Sequence, residues 1–114
     1  MAGEVKAFLD DFASTMQRVK AEIPATLEGF AVLFGKVMSE GALSVREKEL
    51  IALGIAVAQR CTPCIQLHVQ KCLKAGADRK QILEAASVAV MMQGGPAYTH
   101  LVPVLKALDE LASS

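Results

Sequence analysis

The sequence predicts an all-α fold of about six helices, and three observations predict it. Apolar residues recur at helical spacing in one segment after another. No run alternates apolar and polar residues between turn signals, as a half-exposed strand would. The apolar mass is Ala, Val, Leu and Ile, with only 4% aromatic residues and no Trp. That composition suits close helix packing better than a β-sandwich.

The elements follow in chain order. Residues 4–22 carry Val5, Phe8, Leu9, Phe12, Met16 and Val19, the i, i+3, i+4, i+7 pattern of an amphipathic helix. Pro24 marks a break and starts a second helix over 24–40, with Leu27, Phe30, Leu33, Phe34, Val37 and Met38. Gly41 ends it. Ser44-Val45-Arg46-Glu47 is a capping box that opens a third helix. Leu50, Ile51, Leu53, Ile55 and Val57 make that helix apolar nearly all round, which predicts a central position. Arg60 to Pro63 interrupt it. Thr62 reads as N-cap and Pro63 as first helical residue of a fourth helix, which runs to about Ala75 and stops at Gly76.

Asp78-Arg79-Lys80-Gln81 is a second capping box. It opens a fifth helix through Ile82, Leu83, Ala86, Val90 and Met91, with Met91-Met92 read as core. Gly94-Gly95-Pro96 breaks the chain, and a last helix over 96–112 carries Leu101, Val104, Leu105, Leu108 and Leu111.

A chain of 114 residues fits one domain, 1–114, with a small core. At 53% hydrophobic, it has a generous apolar fraction for a lone small domain. This points to apolar surface covered by another subunit, although an alanine-rich core would give the same composition. Lys+Arg and Asp+Glu both number 12, and no basic run or aromatic–basic interleaving stands out, so no nucleic-acid partner is expected. The start lacks the basic and apolar regions of a signal peptide. The longest uncharged stretch, 85–105, is broken by Gln93-Gly94-Gly95-Pro96 and contains His100, so it reads as two buried helices and not a membrane span. A cytoplasmic location without a membrane partner is expected. There, close cysteines are more often catalytic or metal-binding than structural.

The chemistry gathers in Cys61-Thr62-Pro63-Cys64, with His68 four residues on and Glu49 twelve residues before Cys61. A Cys-x-x-Cys pair can cycle between dithiol and disulfide, and a His with a Glu can move the protons. Cys64 falls in the first turn of the fourth helix, where free N–H groups and the helix dipole stabilise a thiolate. His68 shares its helix face and can take its proton or stabilise its anion. Glu49 approaches His68 if the third and fourth helices pack antiparallel, and would then orient the imidazole and accept its proton.

Taken singly, His68 is an ordinary partly buried His and Glu49 a solvated helix charge; the shared stripe is what strengthens them. Zinc competes: Cys61, Cys64 and His68 offer three ligands, and Glu49 or His100 a fourth. No second Cys/His pair stands at a structural spacing, so no metal or cofactor is expected. Cys72 continues the stripe beyond His68 and reads as a small buried hydrophobe. His100 reads as surface or core filler.

The segment from Glu47 to Gly76, containing Glu-Lys-Glu-Leu-Ile-Ala-Leu, Cys61-Thr62-Pro63-Cys64, His68 and Lys74-Ala75-Gly76-Ala77, resembles the alkylhydroperoxidase D / carboxymuconolactone decarboxylase family. The resemblance extends through Gly94-Gly95-Pro96 and covers about residues 40–110. It implies an all-helical fold assembled as trimers or hexamers. It further implies a thiol-dependent peroxidase with peroxiredoxin-type activity, reducing hydroperoxides with electrons from dihydrolipoamide carriers. By resemblance, Glu49 is the base, His68 the relay, Cys64 the peroxide-attacking thiol and Cys61 the resolving thiol. The family's peroxidase pattern often has a His between the two cysteines, where this chain has Pro63. That departure favours a second reading, a disulfide-exchange or redox-sensing oligomer with little peroxide turnover. A lactone-decarboxylating lyase is the weaker alternative, because that branch typically lacks the paired thiols. A helical oligomer that only binds zinc is the remaining one.

Overall fold

The computed structural model describes residues 3–112. Met1 and Ala2, part of the segment read for an export signal, lie outside them. Seven helical segments follow one another: α1 (Glu4–Glu22), α2 (Pro24–Val37), α3 (Val45–Ala58), α4 (Thr62–Lys74), α5 (Arg79–Gln93), α6 (Gly95–Thr99) and α7 (Leu101–Leu111). The described residues contain no strand. No helix among them is long and apolar enough to cross a membrane.

Both capping boxes form. Ser44 Oγ accepts the Glu47 N–H and the Glu47 carboxylate accepts the Ser44 N–H; Asp78 and Gln81 repeat the exchange. Each box satisfies two backbone donors that a helix start would otherwise leave unpaired. α3 packs against both α4 and α5, and α7 packs against α4 and α5. The apolar circumference of α3 is not enclosed as expected, because Ile51 and Ile55 are 51% and 56% exposed while Leu53 and Val57 face the core. Leu53, Val57, Ile65, Val69, Ile82 and Leu108 are fully buried where these helices meet.

Three further expectations need correction. The single last helix divides at His100 into α6 and α7. Pro103 has no N–H for the Thr99 carbonyl and its ring crowds that carbonyl, so the α-helical ladder breaks one turn earlier. The second helix ends at Val37, short of Gly41. There Lys48 reaches over from α3, and its Nζ donates to Val37 O at 2.8 Å and Ser39 O at 2.7 Å. These bonds satisfy carbonyls that would otherwise call for another helical turn. Met91 and Met92 are not core: they are 72% and 71% exposed. α5 turns Ala86 and Ala89 inward, and residues 91 and 92 fall on its outer side.

α2 departs most from the amphipathic pattern. None of its residues is buried, while Phe30, Val32, Leu33 and Val37 stand in solvent. It rests on α1 and touches α4 through Lys71, whose ammonium lies 5.0 Å from the Phe34 ring centroid.

Candidate functional site

The site is built at the tight connection from α3 to α4. Arg60 N donates to Val57 O at 3.0 Å and Cys61 N to Ala56 O at 3.1 Å, the paired bonds of a Schellman ending. The turn requires a left-handed residue, and Arg60 supplies it at φ 56°. Cys61 is therefore held by the end of α3 and at once begins α4. Its Sγ accepts the Cys64 N–H at 3.2 Å, so Cys61 is the N-cap. Thr62, expected as the cap, is instead the first helical residue, with Pro63 after it. The sulfur has taken the place of the usual hydroxyl or carboxylate acceptor, which shifts the helix start by one residue.

Cys61 and Cys64 form a disulfide with their Cα atoms 5.2 Å apart, within the ordinary span of such bonds. Both are partly buried, whereas Thr62 and Pro63 between them are exposed. The pair sits at the positive end of α4, where backbone N–H groups favour negative charge on sulfur once it is reduced.

α3 and α4 run antiparallel across this turn, so a residue near the start of α3 meets one in the middle of α4. Glu49 Oε1 lies 2.8 Å from His68 Nδ1. Glu49 is 4% exposed and the His68 side chain 19%. Against an ionised carboxylate, which only accepts, Nδ1 is the donor. In the neutral ring that arrangement leaves Nε2 with the free lone pair that a proton acceptor needs. His68 is four residues from Cys64 and lies on the same face of α4, about 5–6 Å away measured between Cβ atoms.

Cys72 is one turn further along and fully buried, with a free thiol. Burial, and then the negative charge of Glu49, push its pKa up to about 12. It is an inert apolar neighbour of the site, as the sequence suggests. His100 is engaged elsewhere: its Nδ1 lies 2.8 Å from Pro96 O and 3.2 Å from Thr99 Oγ1, within its own short segment. Among the described residues, no three His, Cys, Asp or Glu side chains converge in a metal-binding group. The structure thus joins Cys61 to Cys64 at the start of α4 and Glu49 to His68 further along it, and His100 belongs to neither pair. Sequence reasoning passed over Arg60; a long cationic residue gives no hint of left-handed backbone.

The family model for the carboxymuconolactone decarboxylase family matches residues 24–107. The chain belongs to this family. A protein of the family from Legionella pneumophila, crystallised in its apo form, superposes with a TM-score of 0.93 at 32% identity, covering 98% of this chain and all of that one. A Thermotoga maritima member, described as a possible participant in an antioxidative response, gives 0.71 at 32% identity over 77% of this chain and 91% of its own. Among curated sequences, an uncharacterised protein of the Paracoccus denitrificans cox locus is 40% identical over 84 residues, 74% of this chain and 76% of that one. An uncharacterised Cupriavidus necator protein is 31% identical over 88 residues, 77% of this chain and 78% of its own. The family match begins in α2 and ends in α7, so the Cys61–Cys64 turn and all of the buried core but Val5, Leu9 and Leu108 fall inside it.

Proposed function

We propose that the protein is a thiol-dependent peroxidase that uses Cys61 and Cys64 as its redox pair. The observation that carries this reading is the part-buried hydrogen bond from Glu49 of α3 to His68 of α4, the helix that begins with the disulfide. A buried carboxylate hydrogen-bonded to an imidazole beside a Cys-x-x-Cys is the equipment for proton transfer to and from sulfur. The Thermotoga relative linked to an antioxidative response agrees with it.

In the reduced enzyme, His68 Nε2 accepts the Cys64 proton, and the resulting imidazolium is held by Glu49. The Cys64 thiolate attacks one peroxide oxygen. The O–O bond breaks, the departing alkoxide takes from His68 the proton that Cys64 gave up and becomes an alcohol, and Cys64 is left as a sulfenic acid. Cys61 then gives its proton to the freed His68 and, as thiolate, attacks Cys64 sulfur. The S–S bond forms, the S–O bond breaks, and the hydroxide leaves as water with that proton. An external dithiol of the dihydrolipoamide type reduces the disulfide by exchange, becoming oxidised itself, and restores both thiols. A cytoplasmic setting supplies such a reductant.

A second reading rests on Pro63, exposed in the first turn of α4 where the family pattern often has a His. Without that proton donor the pair would serve disulfide exchange more than peroxide reduction. One assay separates the two: consumption of an organic hydroperoxide with dihydrolipoamide as reductant. Turnover is expected in the wild type and none in Cys64→Ser. Glu49→Gln should keep the disulfide but lower turnover by about 10²–10⁴-fold, the usual worth of positioned acid–base catalysis. Full turnover in Cys64→Ser would sink the peroxidase assignment to this site. A wild type that exchanges disulfides but leaves the peroxide untouched would establish the second reading.

A further inference from the structure

Arg60 is the residue of the α3–α4 turn that the thiol chemistry leaves without a task. It stands at φ 56°, in the left-handed region, where a Cβ is crowded and glycine is the usual occupant. A strained backbone that persists beside a reactive group points to a role for its side chain. No ion pair holds that side chain in the fold. It is exposed, and neither ion pair among the described residues, Glu49–His68 or Arg79–Asp109, includes it. The helix ends do not account for its charge either. Arg60 follows the negative end of α3 but precedes the positive end of α4, and the two act on a cation in opposite senses.

The charge around it is one-sided. From Leu50 to Ala77 the chain has no Asp or Glu, and its permanent charges are Arg60, Lys71 and Lys74. The protein as a whole is neutral, so this segment is cationic against the general balance. The acids that flank the segment are both engaged: Glu49 is buried against His68, and Asp78 caps α5. Lys71 rests against the Phe34 ring and Lys74 lies in the last turn of α4, so each has a place in the fold. Arg60 alone of the three adjoins the disulfide. Its exposed neighbours Gln59, Thr62 and Pro63 are uncharged, while Cys61 and Cys64 are half-buried. A reductant of the pair must come up to this rim, and the one charge that residues 59–64 offer it is positive.

We propose that Arg60 is a specificity residue for the reductant, favouring dithiol carriers that bear a carboxylate near the dithiol over neutral ones. This rests on the reading that Cys61 and Cys64 are a working redox pair. In the step concerned, a carrier thiolate attacks one sulfur of the pair, the S–S bond breaks and a mixed disulfide forms. The carrier's second thiol then attacks the carrier sulfur of that bond. The carrier leaves as its own disulfide, oxidised by two electrons, and its two thiol protons end on Cys61 and Cys64. Arg60 takes no part in these bonds. Its guanidinium pairs with the carboxylate while the thiolate is delivered, a contact at a solvated rim that acts on encounter and is screened by salt.

The test uses the oxidised full-length chain and two reductants with the same dithiol: dihydrolipoate, which ends in a carboxylate, and dihydrolipoamide, where a neutral amide replaces it. Reduction is followed by acid quenching, thiol alkylation and mass spectrometry. The readout is the ratio of the two rates, because a change in disulfide exposure or in the start of α4 moves both rates alike. In the wild type this ratio should exceed that of Arg60→Gly by about 2–5-fold at about 10 mM salt, the range of an exposed ion pair, and match it at about 1 M. Arg60→Lys should retain the preference, and Arg60→Glu should fall below Arg60→Gly. Equal ratios in wild type and Arg60→Gly at low salt overturn the proposal. So does a preference that persists at about 1 M salt, or an Arg60→Lys protein that behaves like Arg60→Gly. If both dithiols reduce the pair and the ratios are equal, only the role of Arg60 falls; if neither reduces it, the redox role of the pair falls with it.

Discussion

Glu49 is buried at 4% exposure among apolar neighbours, where an unpartnered carboxylate would be costly. Its bond to His68 offsets that cost and fixes which imidazole nitrogen faces the rest of the site. The cysteines show how residue environment divides one side-chain type into two roles. Cys61 and Cys64 sit at the amide-rich start of α4, whereas Cys72 lies inside the packed helix, its thiol pushed up to about 12 by burial and by the charge of Glu49. Such a thiol holds only about one part in 10⁵ as thiolate at pH 7. In the reduced, folded protein iodoacetamide should therefore modify Cys61 and Cys64 while leaving Cys72 untouched from pH 7 to 9, read by mass spectrometry. Cys72 labelling in step with the other two would contradict its buried, protonated state.

At the scale of elements, the α3–α4 connection positions the site. Both its flanking ends are satisfied by the same residue, Cys61, through its backbone N–H on one side and its sulfur on the other. The cost of this economy falls on Arg60, which must adopt φ 56° despite its Cβ. Arg60→Gly should raise stability by up to about 1 kcal/mol in urea unfolding, since glycine reaches this conformation without a steric penalty. A loss of stability would show that the Arg60 side chain contributes more than its backbone costs. The capping boxes at Ser44 and Asp78 were legible in the sequence because their residue types leave few other conformations so favourable. The α4 start was misplaced by one residue because Thr is a common cap and a cysteine sulfur is not.

At the scale of the molecule, the two ends of the described chain are joined by one carboxylate. Gly3 precedes α1 and offers no side-chain cap. Glu110 of α7 takes that role from 105 residues away, accepting the Val5 N–H at 3.0 Å on either oxygen and the Lys6 N–H at 3.0 Å. The Val5 backbone hydrogen bond above all, outweighing partial desolvation, holds the Glu110 pKa below its ordinary value of 4.5. A depressed folded pKa stabilises the fold above the unfolded value, and that stabilisation is lost as pH falls through the folded one. Glu110→Gln should thus lower Tm at pH 7, and the gap from wild type should close as pH drops below about 4. A gap of equal size at pH 3 would mean that the charge of Glu110 is not what caps α1.

The sequence by itself determined what depends on near neighbours. Helical spacing marked out the helices, the capping boxes set two of their starts, and the Cys61–Cys64 spacing put two cysteines within disulfide reach at the start of the helix that carries His68. The Glu49–His68 contact was legible only as a condition, that α3 and α4 pack antiparallel. Tertiary structure decided what depends on distant partners. It put Glu110 under α1, let Lys48 stop α2 at Val37, turned Met91 and Met92 outward, and left α2 without a buried residue. The reason is physical. A hydrogen bond or a packed face between residues far apart in the chain exists only once the backbone has brought them together, and nothing in the spacing of either residue announces the other.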